Sequence, residues 1–93
     1  MEFLKKEGRI YKEDDNGEEI AMISYVPVTD DVVDANSTFV DPSLRGQGIA
    51  EKLVEALVED MEKEGKKIKP SCPYVETLFE RKPDKYSHIN ADV

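Results

Sequence analysis

With 93 residues, the chain has room for one domain, 1–93, and no second core. A formal net charge of −8 argues against a nucleic-acid backbone or an anionic membrane surface as partner, since each needs a basic footprint. A single cysteine, Cys72, and a single histidine, His88, exclude an intramolecular disulfide and the usual zinc ligand sets, so no metal is expected.

No apolar run approaches the length of about 18 residues that a membrane span needs, and Met1–Lys6 lacks the apolar core of a signal peptide. The cysteine usage fits a reduced, cytoplasmic protein. Residues 9–12 read as a short strand. The polar cluster Glu13–Gly17 ends in Asn16-Gly17, a pair that tolerates the positive φ of a tight hairpin. The returning strand is Glu19 to Val26, rich in Ile, Met, Tyr and Val, with Pro27 ending it or marking an edge. Thr29-Asp30-Asp31 is a second turn. Val32 to Val40 is a third strand, with Val33, Ala35, Ser37 and Phe39 on one face and Val32, Asp34, Asn36, Thr38 and Val40 on the other.

Asp41-Pro42-Ser43 breaks that strand, and the loop Arg45-Gly46-Gln47-Gly48 follows. Apolar residues then recur at Ile49, Ala50, Leu53, Val54, Leu57, Val58 and Met61, the spacing of a helix packed on one face, with Gly65 at its C-terminal cap. Lys66 to Pro70 restarts an extended segment that continues through Ser71-Cys72-Pro73-Tyr74. A second helix is predicted from Val75 to Arg81, ahead of Pro83. Strand, long helix and strand make a β-α-β unit, which favours parallel pairing of its two strands. The expected fold is α/β (α+β): a mixed, mostly antiparallel sheet with a central β-α-β unit and flanking helices.

The loop from Arg45 to Ala50 carries the chemistry. It joins a strand end to a helix start, where backbone N–H groups are free and the macrodipole is positive. Gly46 and Gly48 let backbone approach a bulky anion, Ala50 keeps the next position small, and Arg45 adds a charge suited to phosphate. A P-loop is excluded because Gly48 is followed by Ile49-Ala50 and not Lys-Ser/Thr. Glu51 stands where a dinucleotide fingerprint needs a third small residue. The residues alone leave two readings: a pyrophosphate site, or a tight strand-to-helix turn without a ligand.

Arg45-x-x-Gly48-x-Ala50, after a strand and before an amphipathic helix, resembles the coenzyme A-binding signature of the GCN5-related N-acetyltransferases. The chain is similar to very short members of that superfamily. The shared segments are Thr38-Phe39-Val40, Arg45-Gly46-Gln47-Gly48-Ile49-Ala50, Leu53-Val54, Pro70-Ser71-Cys72-Pro73-Tyr74 and Arg81-Lys82-Pro83-Asp84-Lys85-Tyr86. The resemblance spans about Ile10 to Tyr86. It implies a sheet splayed near a bound acetyl-coenzyme A, with the pyrophosphate on the loop and the pantetheine along the strand ending at Val40. Phe39, Val40, Arg45, Gly46, Gln47, Gly48, Ile49 and Ala50 are then the cofactor-binding candidates, and acetyl-coenzyme A and an amine acceptor the partners. Many such relatives carry a histidine just before the Thr-Phe-Val triplet, where this chain has Ser37.

Two residues are catalytic candidates. Cys72 is the one strong nucleophile type in the chain and is either a small buried hydrophobe or a thiol near the thioester. Tyr74, on the same face as Cys72 if both lie in a strand, is either a packed aromatic or a proton donor to the departing thiolate. The expected activity is transfer of acetyl from acetyl-coenzyme A to an amine; the alternative is a coenzyme A-binding or interaction module that does not turn over.

Overall fold

The computed structural model describes residues 2–92. Five strands form one sheet in chain order: β1 (Leu4–Lys6), β2 (Arg9–Glu13), β3 (Glu19–Thr29), β4 (Val32–Val40) and β5 (Lys67–Pro70). The first four pair antiparallel, and β5 joins β4 in parallel through the crossover helix α1 (Ile49–Glu64). Two helices follow, α2 (Pro73–Arg81) and α3 (Pro83–Tyr86). The expected mixed α+β architecture is the one observed.

The core lies between one face of the sheet and the apolar stripe of α1. Ile49, Leu53, Val54, Leu57, Val58 and Met61 pack onto Ile10, Ala21, Ile23, Val33 and Ala35. Gly65, at φ 70°, ends α1 in the left-handed conformation, and the Lys66 N–H donates to the Met61 carbonyl across the turn.

Strand β4 departs from strict alternation. The pairs Ser24–Ser37 and Tyr25–Ala35 leave Asn36 as an extra residue, a bulge whose side chain accepts from the Ser24 hydroxyl at 2.6 Å. Val33 and Ala35 face the core as expected, but past the bulge the inward set becomes Thr38 and Val40, opposite Ile23 and Ala21. Ser37 and Phe39 therefore turn to the outer face, where Phe39 is 42% exposed beside Met22.

Besides α3, other features go beyond the expectation. Strand β1, exposed at every residue, adds an edge to β2. Strand β3 runs through Pro27 to Thr29, with a second register shift there. After α3 the chain returns to the sheet: Ile68 donates to the Ile89 carbonyl, Ala91 donates to the Ile68 carbonyl, and Ile89 is buried.

Tyr86 anchors this C-terminal return. Its ring is 1% exposed and stacks on Phe79 at 5.0 Å between centroids. Its hydroxyl makes no well-formed hydrogen bond among the described residues; the Lys85 ammonium, 5.4 Å from the ring centroid, interacts with it weakly. Loss of a buried hydroxyl without a well-formed bond is nearly free, whereas loss of the ring opens a cavity. In urea unfolding, Tyr86→Phe is expected to stay within about 1 kcal/mol of the unaltered chain. Tyr86→Ala is expected to lose about 3–5 kcal/mol. A Phe variant that loses as much as the Ala variant would mean that the hydroxyl has a partner.

Candidate functional site

The parallel ladder between β4 and β5 covers only Val32 to Ala35. Pro70 is its last partner, and the Cys72 N–H makes one more bond, to the Ala35 carbonyl at 2.8 Å. Pro73 then starts α2, and β4 continues to Val40 without a neighbour on that side among the described residues. The Asp41 N–H donates back to Ile20 on β3, whereas the Val40 carbonyl accepts from Arg45 Nε at 3.4 Å on the other side. Strand alternation accordingly turns the backbone groups of Thr38 and Val40 toward this open edge.

Below the open edge lies the glycine loop. Asp41 caps a short 3-10 turn, Pro42–Leu44, accepting from both the N–H and the hydroxyl of Ser43. Those two bonds hold the Asp41 carboxyl below its ordinary value. Gly46 and Gly48 have φ of 85° and 73°, and a Cβ at either would meet no protein atom within 4 Å. The backbone conformation demands these glycines; crowding inside the chain does not.

Gly48 is the N-cap of α1 and offers no side chain to cap it. Among the described residues no hydrogen bond is donated by the backbone N–H groups from Gly46 through Glu51. Consecutive free donors at the positive end of a 16-residue helix, with the Arg45 guanidinium alongside, form a donor set that suits a diphosphate. The residue chemistry therefore fits coenzyme A.

Val40, Leu44, Arg45, Gly46, Gly48, Ile49, Ala50 and Tyr74 surround one cleft of about 210 Å³. Seven of the ten residues singled out in the sequence thus meet in one place. Gln47 is exposed and does not line the cleft, and Phe39 points to the opposite face of the sheet because of the Asn36 bulge.

Cys72 and Tyr74 do not share a strand face, because Pro73 occupies the first position of α2. Cys72 becomes the N-cap of that helix and turns inward, 5% exposed, with its sulfur 3.4 Å from the Thr38 hydroxyl. Tyr74 turns outward over the cleft, 39% exposed. Partial burial, and then the negative charge of Glu51, raise the Tyr74 phenol above its ordinary value, so it remains a proton donor at neutral pH.

Tyr74 also borders a neighbouring groove of about 360 Å³ formed with Glu51, Pro73, Thr77, Leu78, Arg81 and Lys82. In the sequence Glu51 stands out only as the residue that excludes a dinucleotide fingerprint. His88 pairs with Glu62 on α1, away from the cleft, and no group of three or more metal-ligating side chains occurs among the described residues. No helix is long and apolar enough to cross a membrane.

Known structures share this fold. The solution structure of a GCN5-like, N-acetyltransferase-type protein from Staphylococcus aureus superposes with a TM-score of 0.80. The two are 30% identical over 96% of this chain and 86% of that one. A larger acetyltransferase-fold protein from Agrobacterium tumefaciens gives a TM-score of 0.62 at 24% identity, covering 85% of this chain and 56% of its own. An aminoglycoside 6′-N-acetyltransferase complexed with coenzyme A gives 0.53 at 22% identity; this chain aligns over 63% of its length and spans 34% of that protein. At these identities the two larger structures show the fold alone. No curated protein sequence matches the chain significantly. The family model described as GCN5-related N-acetyl-transferase matches residues 9–89, and the chain belongs to that family.

Proposed function

We propose that the chain binds acetyl-coenzyme A at the glycine loop and transfers the acetyl group to an amine. The observation that carries this is the uninterrupted set of free N–H donors from Gly46 through Glu51 beside Arg45, at the foot of an unpaired strand edge. The backbone donors of Gly46, Gln47, Gly48, Ile49 and Ala50 and the Arg45 guanidinium would hold the diphosphate. The free edge of β4 up to Val40 would pair with the amides of the pantetheine arm, as a further strand would. A protein of the same fold is known in complex with coenzyme A, which supports coenzyme A as the class of ligand.

Bound acetyl-coenzyme A would supply an activated thioester, from which a neutral amine could take the acetyl group, a C–N bond replacing the C–S bond as the thiol is released. The chain's part is to orient and to move protons. The edge N–H groups of Thr38 and Val40 would polarise the thioester carbonyl. The Tyr74 phenol would give its proton to the departing sulfur and regain one as the amine nitrogen sheds its proton on becoming an amide, directly or through solvent. Cys72 stands beside this path, its sulfur buried on Thr38, so we favour direct transfer over passage through a Cys72 acyl thioester. The cleft lining contains no histidine or carboxylate to act as base, which also favours a second reading, a coenzyme A-binding module without turnover. Release of free thiol from acetyl-coenzyme A with a panel of amines separates the two: turnover supports the enzyme, and binding without turnover the module.

Calorimetric titration tests the site. Arg45→Ala is expected to weaken coenzyme A binding by about 1–3 kcal/mol, the cost of a lost charge-assisted contact. Gly48→Val places a branched side chain at φ 73° in the open space before the donors, and should abolish binding. Its thermal unfolding, run alongside, separates loop strain from loss of fold. Unchanged affinity in both variants would put the cofactor elsewhere. Tyr74→Phe is expected to keep affinity and to lower turnover by at least about tenfold; equal turnover would remove Tyr74 as the proton donor.

Cys72 is tested by intact-mass spectrometry after incubation with acetyl-coenzyme A, and by turnover of Cys72→Ala. The direct route predicts no hydroxylamine-labile acetyl adduct and retained turnover in the variant. An adduct mapped to Cys72, with turnover lost in Cys72→Ala, would make the thiol an acyl carrier.

A further inference from the structure

The donors of the anion site have a competitor in their own helix. With Gly48 as N-cap, Ile49, Ala50 and Glu51 are the first three helical positions. A glutamate at the third position is the residue that in a capping box reaches back to the N-cap N–H. Left free, the Glu51 carboxylate would occupy the Gly48 N–H, one of the donors a diphosphate needs, and would put a negative charge where the ligand's charges belong.

It is not left free. Glu51 Oε2 accepts from Lys82 Nζ at 2.7 Å, and Lys85 Nζ lies 3.6 Å from the same oxygen. The bond from Lys82 is the main reason that the Glu51 carboxyl sits below its ordinary value. Lys82 is itself well anchored. It lies between α2 and α3, its N–H donates to the Leu78 carbonyl, and its carbonyl accepts from Lys85 and Tyr86. Leu78 and Tyr86 are buried, so the backbone that carries the ammonium is tied to the core.

We propose that Lys82, assisted by Lys85, is a positioning residue for the cofactor site: it draws Glu51 sideways and keeps the first-turn donors of α1 open for the diphosphate of coenzyme A. The proposal rests on the cofactor site assigned above and concerns how that site is kept from capping itself. Lys82 acts through Glu51. Removal of Lys82 lets the carboxylate swing back onto Gly48, and removal of Glu51 makes Lys82 dispensable for binding.

The test is calorimetric titration of coenzyme A into four proteins: unaltered, Lys82→Met, Glu51→Ala and the double variant. Circular dichroism on each confirms the fold. Lys82→Met should weaken binding about tenfold in the unaltered background, a size typical of one charge-assisted hydrogen bond. In the Glu51→Ala background the same change should cost less than about twofold, and Lys82→Arg should keep affinity. A second readout needs no ligand: in Lys82→Met without coenzyme A, the Gly48 amide proton resonance should move downfield, and the shift should disappear when Glu51→Ala is added. Equal losses in both backgrounds, or an unmoved Gly48 resonance, overturn the proposal while the cofactor site stands. An unaltered chain that does not bind coenzyme A overturns the cofactor site and the proposal together.

Discussion

The site depends on a mismatch in strand length. Strand β4 has nine residues and β5 has four, and their ladder stops at Ala35 and Pro70. Beyond that point one strand turns into a helix and the other continues alone, so backbone groups of Thr38 and Val40 lack a partner within the sheet. An edge left open beside a cleft is the feature that the proposed function gives to the extended pantetheine arm. Pro70 and Pro73 impose the mismatch. A proline has no N–H for a ladder, and one at the first helical position suits a helix start. The Cys72 N–H makes the last bond to β4 before the chains part.

The charge of −8 and an anionic ligand are reconciled by the range of the forces involved. Exposed carboxylates farther away than a Debye length, about 8–10 Å at ordinary ionic strength, are screened. The free donors from Gly46 through Glu51 would act on a bound diphosphate at hydrogen-bond distance. The carboxylate that matters is the near one, Glu51, and it is ion-paired. A net charge computed over the chain says what the whole surface repels, not what one helix terminus can hold.

The helix and loop were legible in the sequence because their signals are local. Apolar residues from Ile49 to Met61 fall on one helical stripe, and Gly48 and Gly65 mark its two ends. The bulge at Asn36 was not legible. The letters Val33 to Val40 fit an uninterrupted alternation equally well, and only the pairing with Ser24 and Tyr25 shows that one residue is extra. That single residue decides that Val40 faces the cleft and Phe39 the opposite side. Cys72 and Tyr74, two apart, share a face only if the extended segment runs through both; Pro73 can end a strand or begin a helix, and here it begins one. Strand β1 has no signature in the sequence, because Leu4-Lys5-Lys6 is exposed throughout and carries no periodic signal. The C-terminal return has none either, because Ile89 is buried by contacts distant in sequence, not by a local pattern.

The segment from Lys82 onward joins folding to the site. Tyr86 and Ile89 fill the core, and residues 89–91 bond to Ile68 along the far side of β5. On the same segment, Lys82 reaches Glu51, Lys85 reaches Glu51 and Glu55, and His88 reaches Glu62, so one exposed face of α1 is tied along its length. Exposed pairs of this kind add little stability singly, and the buried Tyr86 ring is the larger contribution to holding the segment in place. The division of labour follows from this. Apolar burial fixes where the lysines are, and the lysines fix where the carboxylates point. At Glu51 that direction determines whether the start of α1 is satisfied from within or left open to an anion.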